Sequence, residues 1–393
     1  MSEDKRKPST RLIHDGRQHG GFDGAVNPPI RRASTILTDD VSKLYGGSKS
    51  LYGRMGTDTQ ETLSDGLKSL ENADHVQLAP SGLSGCGLAM ASVLNSGDHL
   101  LMTDSAYGPS RRFAERYLAR MGVTTTFFDP RITADAFAAL ITPETKAAFF
   151  EMPGSLTFEL HDLNALLPLC KQNDIITILD NTWAAGVFFK PLDAGGDISV
   201  QALTKYVIGH SDGFGGAAMT NDRRIALKLD QTANDWGIGM SPDDAYLAQR
   251  GLRTLHSRIT QQGRTALNIA EWLAEQSEVR EVYHPALSTH PDNAIFNDLF
   301  SGTSGLFSFA LHCEEAAALD RFFKTFQLFG FGFSWGGFES LIIGVNSIGS
   351  MRTATKWPYQ HPLVRLHVGL EDVDDLIEDL EKGFQRFNQV LAG

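Results

Sequence analysis

The chain has 393 residues, 42% of them hydrophobic, and a formal net charge of −12 at pH 7. Its length suits a large domain plus a smaller one, and its acidic balance argues against nucleic acid or an anionic membrane as the main partner. No apolar run approaches the length of a transmembrane helix, and the polar start at 1–11 lacks the apolar stretch of a signal peptide, so we expect a cytoplasmic protein.

The first predicted element is an arm over residues 1–55, where repeated glycines and prolines disfavour helices and a core. We expect it to lie on another part of the molecule or on a neighbouring subunit. Short apolar strands and helices then alternate. The strands are predicted at 75–78, 99–103, 123–128, 147–151, 175–180 and 198–204, and the helices at 59–70, 83–94, 109–121, 134–141 and 163–173. This alternation predicts a mostly parallel sheet covered by helices on both faces.

The C-terminal part of the chain has a different pattern, which predicts a second α/β domain with an antiparallel sheet. Its strands are predicted at 305–311, 326–331, 341–345 and 363–368, and its amphipathic helices at 264–276 and 372–391. We therefore divide the chain into the arm (1–55), a large domain (56–250) and a C-terminal domain (251–393).

The cysteines and histidines do not indicate a metal site or a disulfide framework. Cys86, Cys170 and Cys313 are far apart and odd in number, and no CxxC pair occurs. The 12 histidines form no HExxH pattern. We expect no metal.

Functional residues in open parallel sheets lie at the carboxyl ends of the strands. Five segments meet that condition here, and we expect them to share one edge of the sheet. They are Ser81-Gly82, Tyr107, Ser155, Asp180 and Lys205.

Four of these segments have a plain structural interpretation beside a chemical one. Gly82 and Leu83 suit a tight strand-to-helix turn, but also an anion site built from the free N–H groups of a helix start. Asp180 suits a cap, but also a partner for a protonated heterocyclic nitrogen. Lys205 suits a solvated strand end, but also an imine-forming amine. Tyr107 suits a packed loop, but also stacking on a planar ring.

Taken together, the acid, the lysine and the anion site favour one cofactor. Pyridoxal 5′-phosphate needs an imine-forming lysine, an acid at its ring nitrogen and a cup for its phosphate. Neither a P-loop nor a GxGxxG fingerprint is present, which disfavours a nucleotide or a dinucleotide.

Several segments, spread nearly from end to end, resemble the Cys/Met metabolism family of fold-type-I pyridoxal-phosphate enzymes. The lysine segment is the most specific for the family, and the Ser-Trp-Gly-Gly and Pro-Gly-Ser segments are similar to its β-lyase branch. The segments are Leu51–Thr57, Pro153–Ser155, Asp180–Trp183, Ala202–Asp212, Ser304–Phe309, Ser334–Ser340 and Arg365–Asp372.

The resemblance implies a transferase-like α/β fold with a seven-stranded, mostly parallel sheet and a smaller C-terminal domain. It implies α,β-elimination of cystathionine to homocysteine, pyruvate and ammonia, as a step of methionine biosynthesis. It also implies a homotetramer made of two dimers, with each site shared across a dimer.

The resemblance also assigns roles to individual residues. Lys205 would carry the cofactor and move the substrate α-proton, and Asp180 would keep the ring nitrogen protonated. The remaining cofactor contacts would be Tyr107 stacked on the ring, Ser155 beside it, Gly82, Leu83 and Thr204 at the phosphate, and Tyr52 and Arg54 at a neighbouring subunit's phosphate. The substrate would contact Tyr52, Ser334, Trp335 and Arg365, with Arg365 gripping the α-carboxylate as a fork.

Four residues depart from the pattern of the β-lyase branch. Met55 replaces a second arginine, Asp58 a proline, Arg112 an acidic residue and Phe333 a tyrosine. The corresponding positions lie near the far end of the substrate, so cysteine or S-alkyl cysteines are alternative substrates. Plain packing for Met55 and a solvated charge for Arg112 are the other interpretation.

Three other functions compete with β-elimination. The first is γ-elimination or γ-replacement with the same cofactor. The second is a regulatory binding protein that keeps the fold and the cofactor. The sequence gives it little support, because we see no additional surface segment. The third is an NAD-dependent dehydrogenase, which the missing GxGxxG disfavours.

Overall fold

The computed structural model describes residues 6–17, 23–46, 51–312, 316–324, 326–345, 348–356 and 363–391. In chain order its strands are β1 (His75–Ala79), β2 (His99–Thr103), β3 (Thr124–Phe128), β4 (Thr145–Glu151), β5 (Ile176–Asp180), β6 (Ile198–Gln201), β7 (Gly216–Thr220), β8 (Val279–Tyr283), β9 (Leu306–Leu311), β10 (Gly330–Phe331), β11 (Leu341–Val345) and β12 (Leu363–His367).

Helices connect most of these strands. They are α1 (Pro8–His14), α2 (Val41–Gly46), α3 (Asp58–Glu71), α4 (Gly82–Val93), α5 (Gly108–Arg112), α6 (Ala134–Ala138), α7 (Leu163–Gln172), α8 (Arg223–Asp235), α9 (Pro242–Ala274), α10 (Asn293–Leu299), α11 (Ala316–Phe323), α12 (Ile348–Met351) and α13 (Val373–Leu391). Short 3₁₀ and π turns occur at Gly53–Met55 and Phe113–Leu118. None of the helices within the described ranges is long and apolar enough to cross a bilayer.

The larger sheet confirms the predicted α/β architecture. Its seven strands have the order β1-β7-β6-β5-β4-β2-β3. β5 is parallel to β6, and β2 is parallel to both β3 and β4. β7 alone runs antiparallel to its two partners, β1 and β6.

The smaller sheet is mainly antiparallel, as expected. Its order is β10-β11-β12-β9-β8, and only the short β10–β11 pair is parallel. One face packs on α9, α11 and α13 around a buried aromatic core that includes Phe307, Phe309 and Phe322. This core stabilises β12, which carries Arg365.

The chain divides into two compact units. The first comprises Met1–Ser96 and Ile176–His256, and the second comprises Gly97–Ile175 and Ser257–Gly393. The first unit contains Gly82, Asp180 and Lys205, and the second contains Tyr107 and Arg365.

Several predicted elements differ from the structure, and the strand predicted at 326–331 is reduced to the two-residue β10. The strand predicted to run to Thr204 ends at Gln201, so Lys205 lies in the following turn. The helix predicted at 264–276 belongs to the much longer α9. The helix predicted at 109–121 is short, because a π turn interrupts it at Phe113.

The sequence interpretation also missed β7, whose Gly-Ala-Ala run has neither β-branched residues nor alternation. Small residues are needed there because α4 begins directly against the strand. A Cβ added at Gly216 would lie 2.1 Å from the Ser81 carbonyl oxygen, and one added at Gly85 would lie 3.5 Å from the Ala217 nitrogen. Strand propensity therefore does not predict β7, whose small residues are selected by the packing of α4 against it.

The predicted arm is only partly extended. α1 packs on α3 of the same unit, where Leu12 is buried and the Arg11 Nε donates to the Ser69 Oγ at 3.1 Å. Arg253 Nη1 donates to the Leu12 carbonyl at 2.8 Å and so fixes the end of α1. The α1 helix of the arm therefore lies on another part of its own chain, which is one of the two expected locations.

Candidate active site

Asp180 ends β5 and is buried at 9% exposure. Its Oδ1 accepts hydrogen bonds from the Thr182 hydroxyl at 2.5 Å and the Thr182 N–H at 3.1 Å. The Thr182 hydroxyl oxygen in turn accepts the Ala202 N–H at 2.9 Å, which ties the end of β5 to the end of β6. Thr182 therefore holds Asp180 Oδ1 in place, and Oδ2 can accept a hydrogen bond from another donor.

Asp180 Oδ2 accepts a weaker hydrogen bond, from the Cys86 thiol at 3.5 Å. Burial raises the pKa of Asp180, and the hydrogen bonds from Thr182 and Cys86 and the Lys205 charge oppose that shift only in part. A buried carboxyl of this kind is stabilised in its charged form by a cationic N–H donor. The site thus fits the protonated ring nitrogen of pyridoxal phosphate.

Lys205 lies in the half-buried turn after β6. Its N–H donates to the Ala202 carbonyl at 3.1 Å, and its carbonyl accepts the Gly209 N–H at 2.8 Å, so the turn is held on both sides. Its charge acts on Asp180, as the pKa of that residue shows. The acid and the amine that the sequence paired therefore lie within range of an electrostatic interaction in the first unit.

The start of α4 is where the sequence predicts an anion cup. Ser81 is the N-cap, and its Oγ accepts the Ser84 N–H at 3.1 Å. The first N–H groups of a helix have no intrahelical acceptor and carry its positive dipole end, so Gly82 and Leu83 can donate to a phosphate. Only glycine lets the helix start so close to β6, because a Cβ at Gly82 would lie 2.3 Å from the Ala202 Cβ.

A Gly82→Ala substitution tests this close approach. The added methyl group would push the start of α4 away from β6, and overpacking of this kind typically costs about 1–3 kcal/mol. We expect a lower unfolding midpoint and weaker cofactor retention, measured by thermal unfolding and visible absorbance. Gly349→Ala is the control, since a Cβ there meets nothing within 4 Å. Equal behaviour of the two variants would contradict the packing argument.

The hydroxyl of Thr204 is already engaged in the structure. It donates to the Gly215 carbonyl at 3.2 Å and accepts the Gly215 N–H at 3.0 Å. Donation to a phosphate would require this hydroxyl to turn away from the carbonyl. The phosphate role of Thr204 stays a prediction.

Tyr52 and Arg54 are exposed on the first unit. The Arg54 guanidinium lies 5.7 Å from the centre of the Tyr52 ring, and Tyr52 is 51% exposed. Gly53 between them is buried, and only glycine fits there, because a Cβ would lie 1.6 Å from the Ala33 carbonyl oxygen. The backbone is thus fixed while both side chains point away from the core of their own unit.

In the second unit, Arg365 is anchored by the neighbouring Ser334 turn. Its Nη2 donates to the Ser334 carbonyl at 2.9 Å, and its buried Nε has no hydrogen-bond partner in the part of the chain that the structure describes. Burial lowers the pKa of Arg365 to about 10, which the Tyr107 side chain opposes, so the guanidinium stays charged at neutral pH. A buried cationic donor without an acceptor favours a carboxylate ligand.

The Ser334–Gly337 turn is positioned by the same strand. The Gly336 N–H donates to His367 Nε2 at 3.0 Å, two residues after Arg365 on β12. Ser334 has a φ of 79°, an uncommon value for a residue with a side chain. Such backbone strain is frequent at ligand sites, and Trp335 follows directly in this turn.

Tyr107 and Ser155 lie on adjacent loops of the second unit. The Tyr107 N–H donates to Glu151 Oε2 at 2.5 Å, and the Ser155 N–H donates to the Ser105 carbonyl at 2.8 Å. Tyr107 is 45% exposed and acts on the charge of Arg365. Their contacts to a cofactor stay predictions.

The four departures from the family pattern have different surroundings. Asp58 opens α3 and pairs with Arg31 at 3.0 Å, a favourable position at a helix N-terminus. Met55 and Phe333 are exposed at 45% and 89%, and Arg112 is exposed as well.

Two contacts at Asp180 were missed from the sequence. Thr182 follows the acid within the Asp180–Trp183 segment, and a hydroxyl two residues after a strand-end acid can bond back to it. Cys86 was considered only for metals and disulfides, although it lies one helical turn after Gly82 on the same face of α4. Cys86 and Cys170 are buried thiols, and Cys313 lies outside the described residues. In the described ranges no cluster of three or more metal-ligating side chains occurs.

Comparisons with known proteins agree with this geometry. The chain is 41% identical to a cystathionine beta-lyase of Escherichia coli over 97% of this chain and 99% of the relative. It is 43% identical to a cystathionine beta-lyase of Bordetella avium over 92% of each chain. A crystal structure of cystathionine gamma synthase from Xanthomonas oryzae in complex with cystathionine matches with a TM-score of 0.90, at 30% identity over 98% of this chain and all of that one. Residues 9–385 match the model of the Cys/Met metabolism PLP-dependent enzymes, and the chain belongs to that family.

Proposed function

We propose that this protein is a carbon–sulfur β-lyase of the cystathionine β-lyase type, which converts cystathionine to homocysteine, pyruvate and ammonia. The family membership makes it a pyridoxal-phosphate enzyme. The choice of reaction is supported by similarity to named cystathionine beta-lyases over nearly the full chain. The structural observation that carries the chemistry is the buried Asp180 beside Lys205, with one carboxyl oxygen left for a ring nitrogen.

The residues of the first unit suit the cofactor. Asp180 Oδ2 would accept the ring N–H, the Gly82 and Leu83 N–H groups would bind the phosphate, and Lys205 would carry the covalent link. When bound, pyridoxal phosphate withdraws electrons from the substrate Cα and so acidifies its proton.

Two side chains would then act on the substrate. Arg365 would hold the α-carboxylate through its unpartnered Nε and one terminal nitrogen, which fixes the Cα in place. The Lys205 amine would take the proton from Cα as a general base. The electrons left on Cα would form a double bond to Cβ as the C–S bond breaks and the thiolate leaves, and water would finally yield pyruvate and ammonia.

An Arg365→Lys variant tests the carboxylate fork. Lysine keeps the charge but cannot donate two parallel hydrogen bonds, so the substrate loses one charge-assisted bond. Such a bond contributes about 1.5–3 kcal/mol, and we expect kcat/KM to fall about 10- to 100-fold, mainly through KM. Steady-state kinetics with cystathionine measures both constants. An unchanged KM would remove Arg365 from carboxylate binding.

Product analysis tests the reaction itself. Purified protein would be incubated with cystathionine, cysteine and S-methylcysteine, and the keto acid and thiol would be identified. We expect pyruvate and homocysteine from cystathionine. 2-Oxobutyrate would indicate γ-elimination instead, and failure to form pyruvate from all three compounds would overturn the β-lyase proposal.

Cysteine or an S-alkyl cysteine is the second candidate substrate. The observation that favours it is the altered set Met55, Arg112 and Phe333, at positions that the family resemblance associates with the far end of the substrate. A smaller substrate has no second amino-acid head to be bound there. A higher kcat/KM for S-methylcysteine than for cystathionine would favour this candidate.

We also propose a homotetramer of two dimers, in which Tyr52 and Arg54 of one subunit complete the site of its neighbour. Both side chains are exposed on their own unit, and so are the arm residues Leu37 and Val41, at 88% and 72%. Exposed apolar residues at this density are typical of an interface. The division into arm, large domain and C-terminal domain belongs to the same proposal, and a cytoplasmic location stays a prediction of the sequence.

Mixed oligomers test the shared site. A Lys205→Ala subunit paired with an Arg54→Ala subunit would hold one site with both residues intact and one with neither. After random mixing of two inactive parents, we expect about a quarter of the wild-type activity, because half of the dimers are hybrid. Mixtures that stay as inactive as their parents, although exchange of subunits is shown by mass, would contradict a shared site.

A further inference from the structure

Glu71 is a buried acid that joins the two strand ends around Asp180. It is the last residue of α3 and is 0% exposed. Its Oε1 accepts the Asn181 Nδ2–H at 2.9 Å and also the Gln201 Nε2–H. Asn181 directly follows Asp180 at the end of β5, and Gln201 ends β6.

If Glu71 is ionised, the buried polar atoms around it include one more acceptor than there are protons to donate. Within the described residues, Glu71 Oε2, Asn181 Oδ1 and Ser199 Oγ are all buried without a partner. The Ser199 hydroxyl faces Glu71 and is the one proton carrier among these three groups when Glu71 is ionised. A single hydroxyl proton cannot serve two acceptor oxygens, so one of them would remain unsatisfied. A proton on Glu71 Oε2 would supply the second donor that this group of atoms lacks.

The surrounding charges do not require an ionised Glu71. Lys190 is the cation that acts on it, but that amine donates to the Leu70 carbonyl and, at 3.3 Å, to Asn72 Oδ1. The charge of Asp193 raises the pKa of Lys190, and the charge of Arg11 lowers it. Burial raises the pKa of Glu71, and the bonds from Asn181 and Gln201 and the Lys190 charge oppose the shift only in part.

We propose that Glu71 is a positioning residue that stays protonated in the folded protein and holds the ends of β5 and β6 together around Asp180. It acts through Asn181, the neighbour of Asp180, and through Gln201, the neighbour of Ala202. The Ala202 N–H bonds Thr182, whose hydroxyl bonds Asp180 Oδ1. A neutral acid makes these contacts without a second negative charge at the strand end that carries the cofactor acid.

Infrared difference spectroscopy of the holoenzyme and a Glu71→Gln variant at pH 8 tests the protonation state. Glutamine copies a protonated acid, since its oxygen accepts and its nitrogen donates. We expect the wild type to show the carbonyl stretch of one protonated carboxyl that the variant lacks and that shifts in D₂O. Asp180 is present in both proteins and cancels. A difference confined to ionised-carboxylate bands would overturn the proposal.

The pH dependence of the free energy of unfolding is an independent test of whether Glu71 is protonated. A folded pKa above the ordinary value of 4.5 means that the folded state binds more protons than the unfolded state. The wild type should therefore lose stability relative to Glu71→Gln as the pH rises above about 4.5, by up to tenfold per pH unit in the folding equilibrium constant. A wild type that gains on the variant over this range would contradict a protonated Glu71.

Cofactor retention tests the positioning role. Glu71→Ala should lower cofactor affinity at least about tenfold, because the strand ends lose their shared acceptor. Glu71→Gln should restore it, and Lys68→Ala on the exposed face of α3 is the control. If glutamine fails to rescue the alanine defect, Glu71 does not act as a neutral clamp. The infrared result does not depend on which reaction the enzyme catalyses, so the two proposals can fail separately.

Discussion

Replacing Lys205 by alanine is expected to abolish nearly all turnover and the visible absorption of the imine. The lysine has two tasks, since it carries the cofactor and moves the substrate α-proton. Loss of the proton transfer alone typically costs about 10²- to 10⁴-fold in rate. Steady-state release of pyruvate and the absorption spectrum of the purified variant measure the two tasks separately.

Lys382→Ala is the matched control for this experiment. Lys382 is an exposed lysine of α13 that pairs with Glu378 at 2.8 Å, and exposed pairs of this kind contribute little to stability. We expect it to behave as wild type. A Lys205→Ala protein that kept wild-type β-lyase activity would remove Lys205 from the mechanism.

Replacing Asp180 by asparagine is expected to lower kcat strongly with a much smaller effect on KM. Asparagine has nearly the same shape but no charge with which to keep the ring nitrogen protonated. Removal of one preorganised electrostatic contact typically costs about 10²- to 10³-fold in kcat. Separate measurement of kcat and KM distinguishes this loss from weaker substrate binding.

The control for this variant is Asp135→Asn, at an exposed position of α6. It should change neither constant. If Asp180→Asn keeps the wild-type kcat, the carboxylate does not control the electronics of the cofactor. If only its KM changes, Asp180 contributes to substrate binding instead.

The large sheet could be predicted well from the sequence because most of its strands are apolar runs that end in turn residues. The limits of β2 were predicted without error, and those of β5 to within one residue. β7 was missed because its small residues are selected by the close approach of α4, which is a tertiary constraint. The start of α9 was missed although its buried residues recur at helical spacing, at Ala245, Ala248, Leu252, Leu255 and Ile259.

For the candidate site, the sequence could predict which residue types follow the ends of the strands. Asp180 and Lys205 come together because neighbouring strands place their carboxyl ends at one edge. The contact of Cys86 with Asp180 and the contacts of Glu71 with Asn181 could not be predicted, since both side chains come from helices distant in the chain. Their roles depend on which atoms have partners, and only three-dimensional coordinates contain that information.

Reduction of the holoenzyme with borohydride followed by peptide mass mapping tests the central claim most directly. Borohydride converts an imine to a stable amine and so marks the lysine that carries the cofactor. We predict the mass of one phosphopyridoxyl group on the peptide that contains Lys205. The same mass on a peptide with another lysine, and none on this one, would contradict the account.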